Sequence, residues 1–122
     1  MEDPSTELRM VLIVRQDLPM GIGKAMGQAG HAFTMTLLLA QERIPEVVGD
    51  YLTDTQPKIV VGCRNLAALL RAQAECRDAG LVCALVRDAG RTVFPEPTDT
   101  CMGVGPCRRS DLPKFVRRMR LL

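Results

Sequence analysis

Tryptophan is absent from this 122-residue chain, and tyrosine and histidine occur once each, as Tyr51 and His31. With Phe33, Phe94 and Phe115 the aromatic side chains are still few. The core must therefore be aliphatic, and the shortage argues against a single-strand reader that stacks bases on ring platforms. A lone histidine, and five cysteines (Cys63, Cys76, Cys83, Cys101, Cys107) with no CxxC pair, do not match zinc-ligand spacings. The odd cysteine count argues against a disulfide framework and for a reducing compartment. Three of the five sit in apolar stretches, where free cysteine behaves as a small hydrophobe. No apolar run is long enough to cross a bilayer, and the polar, acidic first nine residues are no signal peptide. The expectation is a soluble cytoplasmic protein with no metal, no cofactor and no membrane partner.

What is present is one domain's worth of ordinary globular composition, 47% hydrophobic and 25% charged. Residues 1–7 read as a disordered tail and 8–122 as a single domain. The net charge of +2 hides an asymmetry. Glu2, Asp3 and Glu7 open the chain, and residues 8–122 then carry 16 basic against 11 acidic side chains. Arg108, Arg109, Lys114, Arg117, Arg118 and Arg120 crowd the last fifteen residues against Asp111 alone. Such a run is either a solvated helix face or an electropositive patch for a polyanion such as RNA.

Leu8 to Val14 is a compact apolar run of the kind found in a central strand buried on both faces. Pro19, Gly21 and Gly23 break it. A helical pattern follows from Lys24 to about Arg43, and a short second helix is expected from Glu46 to Thr53. Gly27 and Gly30 suit a helix poorly, at about 1 kcal/mol each. Their presence points to close approach of this helix to the sheet or to a ligand. Lys58–Cys63 reads as a second strand. Asn65 stands where an N-cap belongs for a helix from Leu66 to Asp78, and Gly80 closes it. Leu81–Val86 reads as a third buried strand. Thr100–Val104 reads as a short fourth one, ended by Gly105-Pro106 and placed antiparallel at an edge. Ser110 or Asp111 is expected to cap a last helix starting near Pro113. The order predicts an α/β fold of three layers, α/β/α, around a four-stranded, mostly parallel mixed sheet.

Two segments concentrate the chemistry: Met20 to His31 and Arg87 to Thr92. Lys24, Gln28 and His31, spaced i, i+4, i+7, share one helix face. Lys24 lies in a first helical turn, where the dipole disfavours a cation; it is either an exposed lysine that tolerates the site or one that meets a phosphate or a developing oxyanion. Asp88 follows an apolar strand. It can act as a general base, orient a water, or merely close an Asx-turn around Ala89-Gly90. Arg91 and Thr92 add a fixed cation and a hydroxyl. His31 alone is most often a satisfied, partly buried histidine.

Together these segments resemble the archaeal/eukaryotic-type peptidyl-tRNA hydrolase family (peptidyl-tRNA hydrolase 2). The likeness runs from about Met10 to Leu122. It includes Val11-Leu-Ile-Val-Arg15, Asp17-Leu18, Met20-Gly21 with Gly23-Lys24, and Gln28 with His31-Ala32. Gln56-Pro57-Lys58, Gly80-Leu81, Asp88-Ala-Gly-Arg-Thr92, Gly103-Val-Gly105-Pro106 and Asp111-Leu112 continue it. The resemblance implies a mixed sheet between helices, often a homodimer, and hydrolysis of the ester joining a peptide to tRNA, without a cofactor. It implies catalytic roles for Lys24, Asp88 and Thr92, and substrate contacts from Gln28, His31, Arg91, Gly21 and Gly23. The family loop commonly carries lysines where this chain has Pro19 and Ile22, which weakens the expected hold on RNA phosphates. Two alternatives stay open: a divergent paralog that cleaves another acyl ester, and a noncatalytic RNA-binding module on the same fold.

Overall fold

The apolar run Leu8–Arg15 forms strand β1 and takes a partner on each side. Hydrogen bonding to both neighbours, and packing on both faces, explain why it reads as a continuous hydrophobic stretch. The structure, a computed structural model, describes residues 6–91 and 93–122. The expected tail at residues 1–7 falls mostly outside them. After β1 come α1 (Ile22–Arg43), α2 (Pro45–Leu52), β2 (Lys58–Cys63), α3 (Leu66–Asp78), β3 (Cys83–Asp88) and β4 (Thr98–Arg108). A 3-10 turn over Arg109–Asp111, a one-turn helix α4 (Lys114–Arg117) and β5 (Arg120–Leu121) complete the order.

Local chemistry sets several of these boundaries. Pro45 stands in the first turn of α2, where its missing N–H costs nothing. Asn65 caps α3 by accepting from Ala68 N at 3.0 Å. Gly80, with φ of +76°, ends α3. Gly80 N donates to Arg77 O and Leu81 N to Cys76 O, the paired bonds of a Schellman motif.

The sheet has five strands in the order β3-β4-β1-β2-β5, not four. Among the described residues only β1 and β2 pair in parallel; β1–β4, β3–β4 and β2–β5 are antiparallel. So the sheet is mixed, and "mostly parallel" does not describe its pairings. β4 is neither short nor at an edge. It runs 11 residues between β3 and β1. The expected stop at Gly105-Pro106 is instead a bulge inside the strand. The peptide there is cis, the register against β1 shifts between Arg9 and Val11, and Gly105 N donates to Val82 O. A bulge is where a strand tolerates a residue without an N–H. The last helix is one turn long, with Pro113 at its N-cap and no side-chain cap. Ser110 and Asp111 lie in the preceding 3-10 turn, where the Asp111 carboxylate accepts from Arg108 N.

Helices cover both faces, as the sequence pattern predicts. Leu12 and Val14 pack with Ala29, Ala32 and Phe33 of α1 and with Val86 and Cys101. Val11 and Ile13, pointing the other way, pack with Leu69, Ala72 and Cys76 of α3 and Val116 of α4. All five cysteines are buried and free. Burial pushes the thiols of Cys76 and Cys107 up to about 12, so they act as core hydrophobes.

The close approach of α1 to the sheet is real, but the sheet supplies the glycine. A Cβ on Gly103 of β4 would lie 2.7 Å from Ala32 O and would overlap Thr36 Oγ1. Gly27 and Gly30 face outward, and a Cβ on either would meet nothing within 4 Å. Gly27→Ala and Gly30→Ala should therefore each raise stability by about 0.5–1 kcal/mol, the helix-propensity difference. Gly103→Ala should lower it by about 1–3 kcal/mol through overpacking. Urea denaturation of the three variants checks both signs.

Candidate functional site

Because β4 is antiparallel to both β1 and β3, those two strands point the same way and end on one edge. β1 leads from that edge into the turn that starts α1, and β3 ends there at Asp88. The topology thus brings together two segments 64 residues apart. Lys24 Nζ donates to Asp88 Oδ1 at 2.6 Å, and the two side chains retain only 18% and 6% of their exposure. Partial burial makes this contact electrostatically stronger than a surface pair. α1 has no acidic residue in its first turn, so the Asp88 carboxylate offsets the dipole's opposition to Lys24.

The other carboxylate oxygen is held as well. Gly90 N donates to Asp88 Oδ2 at 2.9 Å, which is the Asx-turn geometry allowed by the sequence. The turn and the ion pair coexist on one carboxylate. Gly90 has φ of +83°, and a Cβ there would lie 2.7 Å from the Glu96 carbonyl carbon. The chain therefore folds back across Gly90. This return buries Phe94, whose ring centroid is 5.8 Å from Lys24 Nζ, within reach of a cation–π attraction.

Beside the pair lies an open cleft of about 410 Å³, lined by Gln28, His31, Met35, Leu85, Val86, Arg87, Asp88 and Ala89. Gln28 is buried, and its Oε1 accepts from the Thr100 hydroxyl. That bond commits the carbonyl end of the amide and leaves the NH₂ end as a donor toward the cleft. His31 lies exposed on the cleft wall. Lys24, Gln28 and His31 thus follow one another along the side of α1 that meets Asp88. Arg91 is exposed on the following loop and does not line the cleft. Gly21 is the N-cap of α1 with an extended φ of −68°. A Cβ on Gly21 or Gly23 would meet nothing within 4 Å, and neither residue lines the cleft. Thr92 lies outside the described residues.

Several residues that build this site were given no role by the sequence, Arg15 and Asp17 among them although both belong to the family likeness. Arg15 grips Asp17 with two hydrogen bonds, at 3.0 and 2.8 Å, and donates a third to Asp99 O. This clamp ties the end of β1 to the start of β4, next to Asp88. The guanidinium holds the Asp17 carboxyl below the usual carboxylate range. Thr100 and Phe94 act across the sheet and across the loop. Their roles depend on a register and a fold-back that local spacing does not encode. Among the described residues no group of three or more histidine, cysteine or acidic side chains could hold a metal ion.

With this geometry in hand, comparison with known proteins is informative. A model of the family described as "Peptidyl-tRNA hydrolase PTH2" matches residues 8–122. The chain is 34% identical over 115 residues to the peptidyl-tRNA hydrolase of Methanocaldococcus jannaschii, covering 94% of this chain and 100% of that protein. It is 34% identical over 117 residues to the human protein named peptidyl-tRNA hydrolase 2, mitochondrial, covering 96% of this chain and 65% of that one. A Methanococcus vannielii peptidyl-tRNA hydrolase is 33% identical over 111 residues, covering 91% of this chain and 96% of that protein.

Gly90→Ala should cost about 2 kcal/mol or more, because φ is positive and the added methyl meets backbone. Ala89→Ser, one residue away and exposed, should stay within about 0.5 kcal/mol of the parent. Paired urea melts separate the two.

Proposed function

The chain belongs to the peptidyl-tRNA hydrolase family, and from that premise we propose that it cleaves the ester joining a peptide's C-terminal carboxyl to the 3′-terminal ribose of tRNA. The observation that carries the reading is the 2.6 Å contact of Lys24 with Asp88 at the edge of an open cleft. Ester hydrolysis needs a proton acceptor for the attacking water and positive charge where the tetrahedral oxyanion forms. A carboxylate and an ammonium, held together and largely shielded from solvent, supply that combination.

In the proposed mechanism Asp88 holds the water. Lys24 donates to one of its oxygens and Gly90 N to the other, which fixes the carboxylate at the cleft edge. The water oxygen attacks the ester carbonyl carbon and Asp88 takes its proton. Lys24 offsets the negative charge that develops on the carbonyl oxygen. When the carbon–oxygen bond to the ribose breaks, the proton passes to the leaving ribose oxygen. Thr92 is assigned to position the water or substrate, as the family resemblance implies. Gln28 Nε2 and His31 offer hydrogen bonds along the cleft wall, and Arg91 and the bare Gly21 and Gly23 surface receive the RNA end.

Homodimer formation and a cytoplasmic location belong to the same proposal. No helix among the described residues is long and apolar enough to cross a membrane. Cleavage of another acyl ester is favoured by one observation. Ile22, where the family commonly has lysine, is 82% exposed at the start of α1 and offers RNA no charge.

Peptide release from a purified peptidyl-tRNA tests the reading. Asp88→Asn should lower kcat by about 10²- to 10⁴-fold, and Lys24→Met by about 10²- to 10³-fold, as for loss of one oxyanion-stabilising group. Full activity in both variants would remove the mechanism. Ile22→Lys should tighten binding of tRNA and steepen its salt dependence by about one unit. An unchanged affinity would indicate that no phosphate passes that position.

A further inference from the structure

The basic C-terminal segment takes no part in the cleft. β4 begins at Thr98, paired with Asp88, and ends at Arg108, paired with Leu8. Eleven residues of strand span about 35 Å. The chain therefore leaves β4 at the end of the sheet far from Asp88, and β5 later returns to pair with Val61 and Gly62. α4 also packs on the face opposite α1.

There Arg109, Lys114, Arg117 and Arg118 surround a concavity of about 250 Å³. None of the four forms an ion pair with a described acidic residue. The one carboxylate in this stretch, Asp111, is turned toward Arg108 N. Arg117 Nε is buried without a hydrogen-bond partner. A buried guanidinium N–H with no acceptor is costly, and four like charges around one hollow repel each other. Both costs fall when an anion with several acceptor oxygens enters. Guanidinium forks match phosphate oxygens in geometry. All four side chains that line it are cationic.

We propose that this hollow is a second anion site, separate from the cleft, which binds backbone phosphates of tRNA. The choice of tRNA rests on the hydrolase reading. The phosphate chemistry rests on the pocket alone. A folded tRNA is larger than a 122-residue protein, so contacts on both faces of the sheet are compatible with one RNA molecule. The site also supplies positive charge that Pro19 and Ile22 do not supply at the cleft.

Uncharged tRNA carries no ester, so its binding tests the proposal whether or not the chain proves to be a hydrolase. The triple variant Arg109→Ala/Lys114→Ala/Arg118→Ala leaves the partly buried Arg117 in place and so spares the packing of α4. By fluorescence anisotropy at about 100 mM salt its Kd for tRNA should rise at least about tenfold, and its salt slope should fall by about two to three. The control Arg43→Ala/Arg64→Ala/Arg77→Ala removes the same charge from other exposed positions and should stay within about twofold of the parent. Saturating kcat on peptidyl-tRNA should be unchanged in both. Equal losses in the two triple variants would overturn the site, because net charge alone would then set affinity. An unchanged Kd in the first variant would overturn it too. So would displacement of tRNA by polyglutamate at equal charge concentration, which would assign the hollow to acidic protein.

Discussion

A single ion pair joins the two halves of this molecule's chemistry: Lys24 from the opening of α1 and Asp88 from the end of β3. Much of the surrounding structure serves to make that contact possible. The antiparallel β4 forces β1 and β3 to end on the same edge. Gly103 lets α1 come down onto β4, which brings Lys24 within reach of the strand beyond. The Arg15–Asp17 clamp fixes the turn that precedes α1, and the Gly90 turn fixes the carboxylate from its other side. The pair would be worth little on an open surface, where water and salt screen it. Under the proposed mechanism, partial burial under the Phe94 loop gives it leverage on a reacting ester.

Specificity for a polyanionic substrate poses a separate problem. The cleft itself is mixed in character, with Met35, Leu85 and Val86 beside Gln28 and His31. It suits the uncharged acyl–ribose junction better than a run of phosphates. A cluster of four cationic side chains stands on the opposite face of the sheet, around α4. Division of labour between an apolar-and-amide cleft and a remote cationic hollow is consistent with chemistry that must be local and affinity that need not be.

Periodicity alone was enough for much of the fold. Lys58–Cys63 and Leu66–Asp78 have the bounds read from their apolar spacing and flanking residues. Asn65 and Gly80 cap α3 by the mechanisms their residue types suggest. The errors cluster where long-range pairing decides. Gly105-Pro106 looks like a strand terminator, yet β1 on one side and Val82 on the other carry the strand through it. The two-residue β5 has no pattern of its own and exists because β2 has a free edge. Gly27 and Gly30 suggested a tight helix–sheet contact, whereas the glycine that permits it, Gly103, is in the sheet. At the site, Lys24 and Asp88 stood out as chemistry-bearing residues in glycine-marked turns. Thr100 and Phe94 did not, because their partners Gln28 and Lys24 are 72 and 70 residues away.

If Lys24 and Asp88 act as one unit, their contributions to catalysis must be coupled. A double-mutant cycle on single-turnover peptidyl-tRNA cleavage, with Lys24→Met, Asp88→Asn and the two combined, measures that coupling directly. The account predicts that the double variant is no slower than the slower single variant, within about threefold. Losses that multiply, so that the double variant falls by the product of the two single effects, would show two groups working independently and would contradict it.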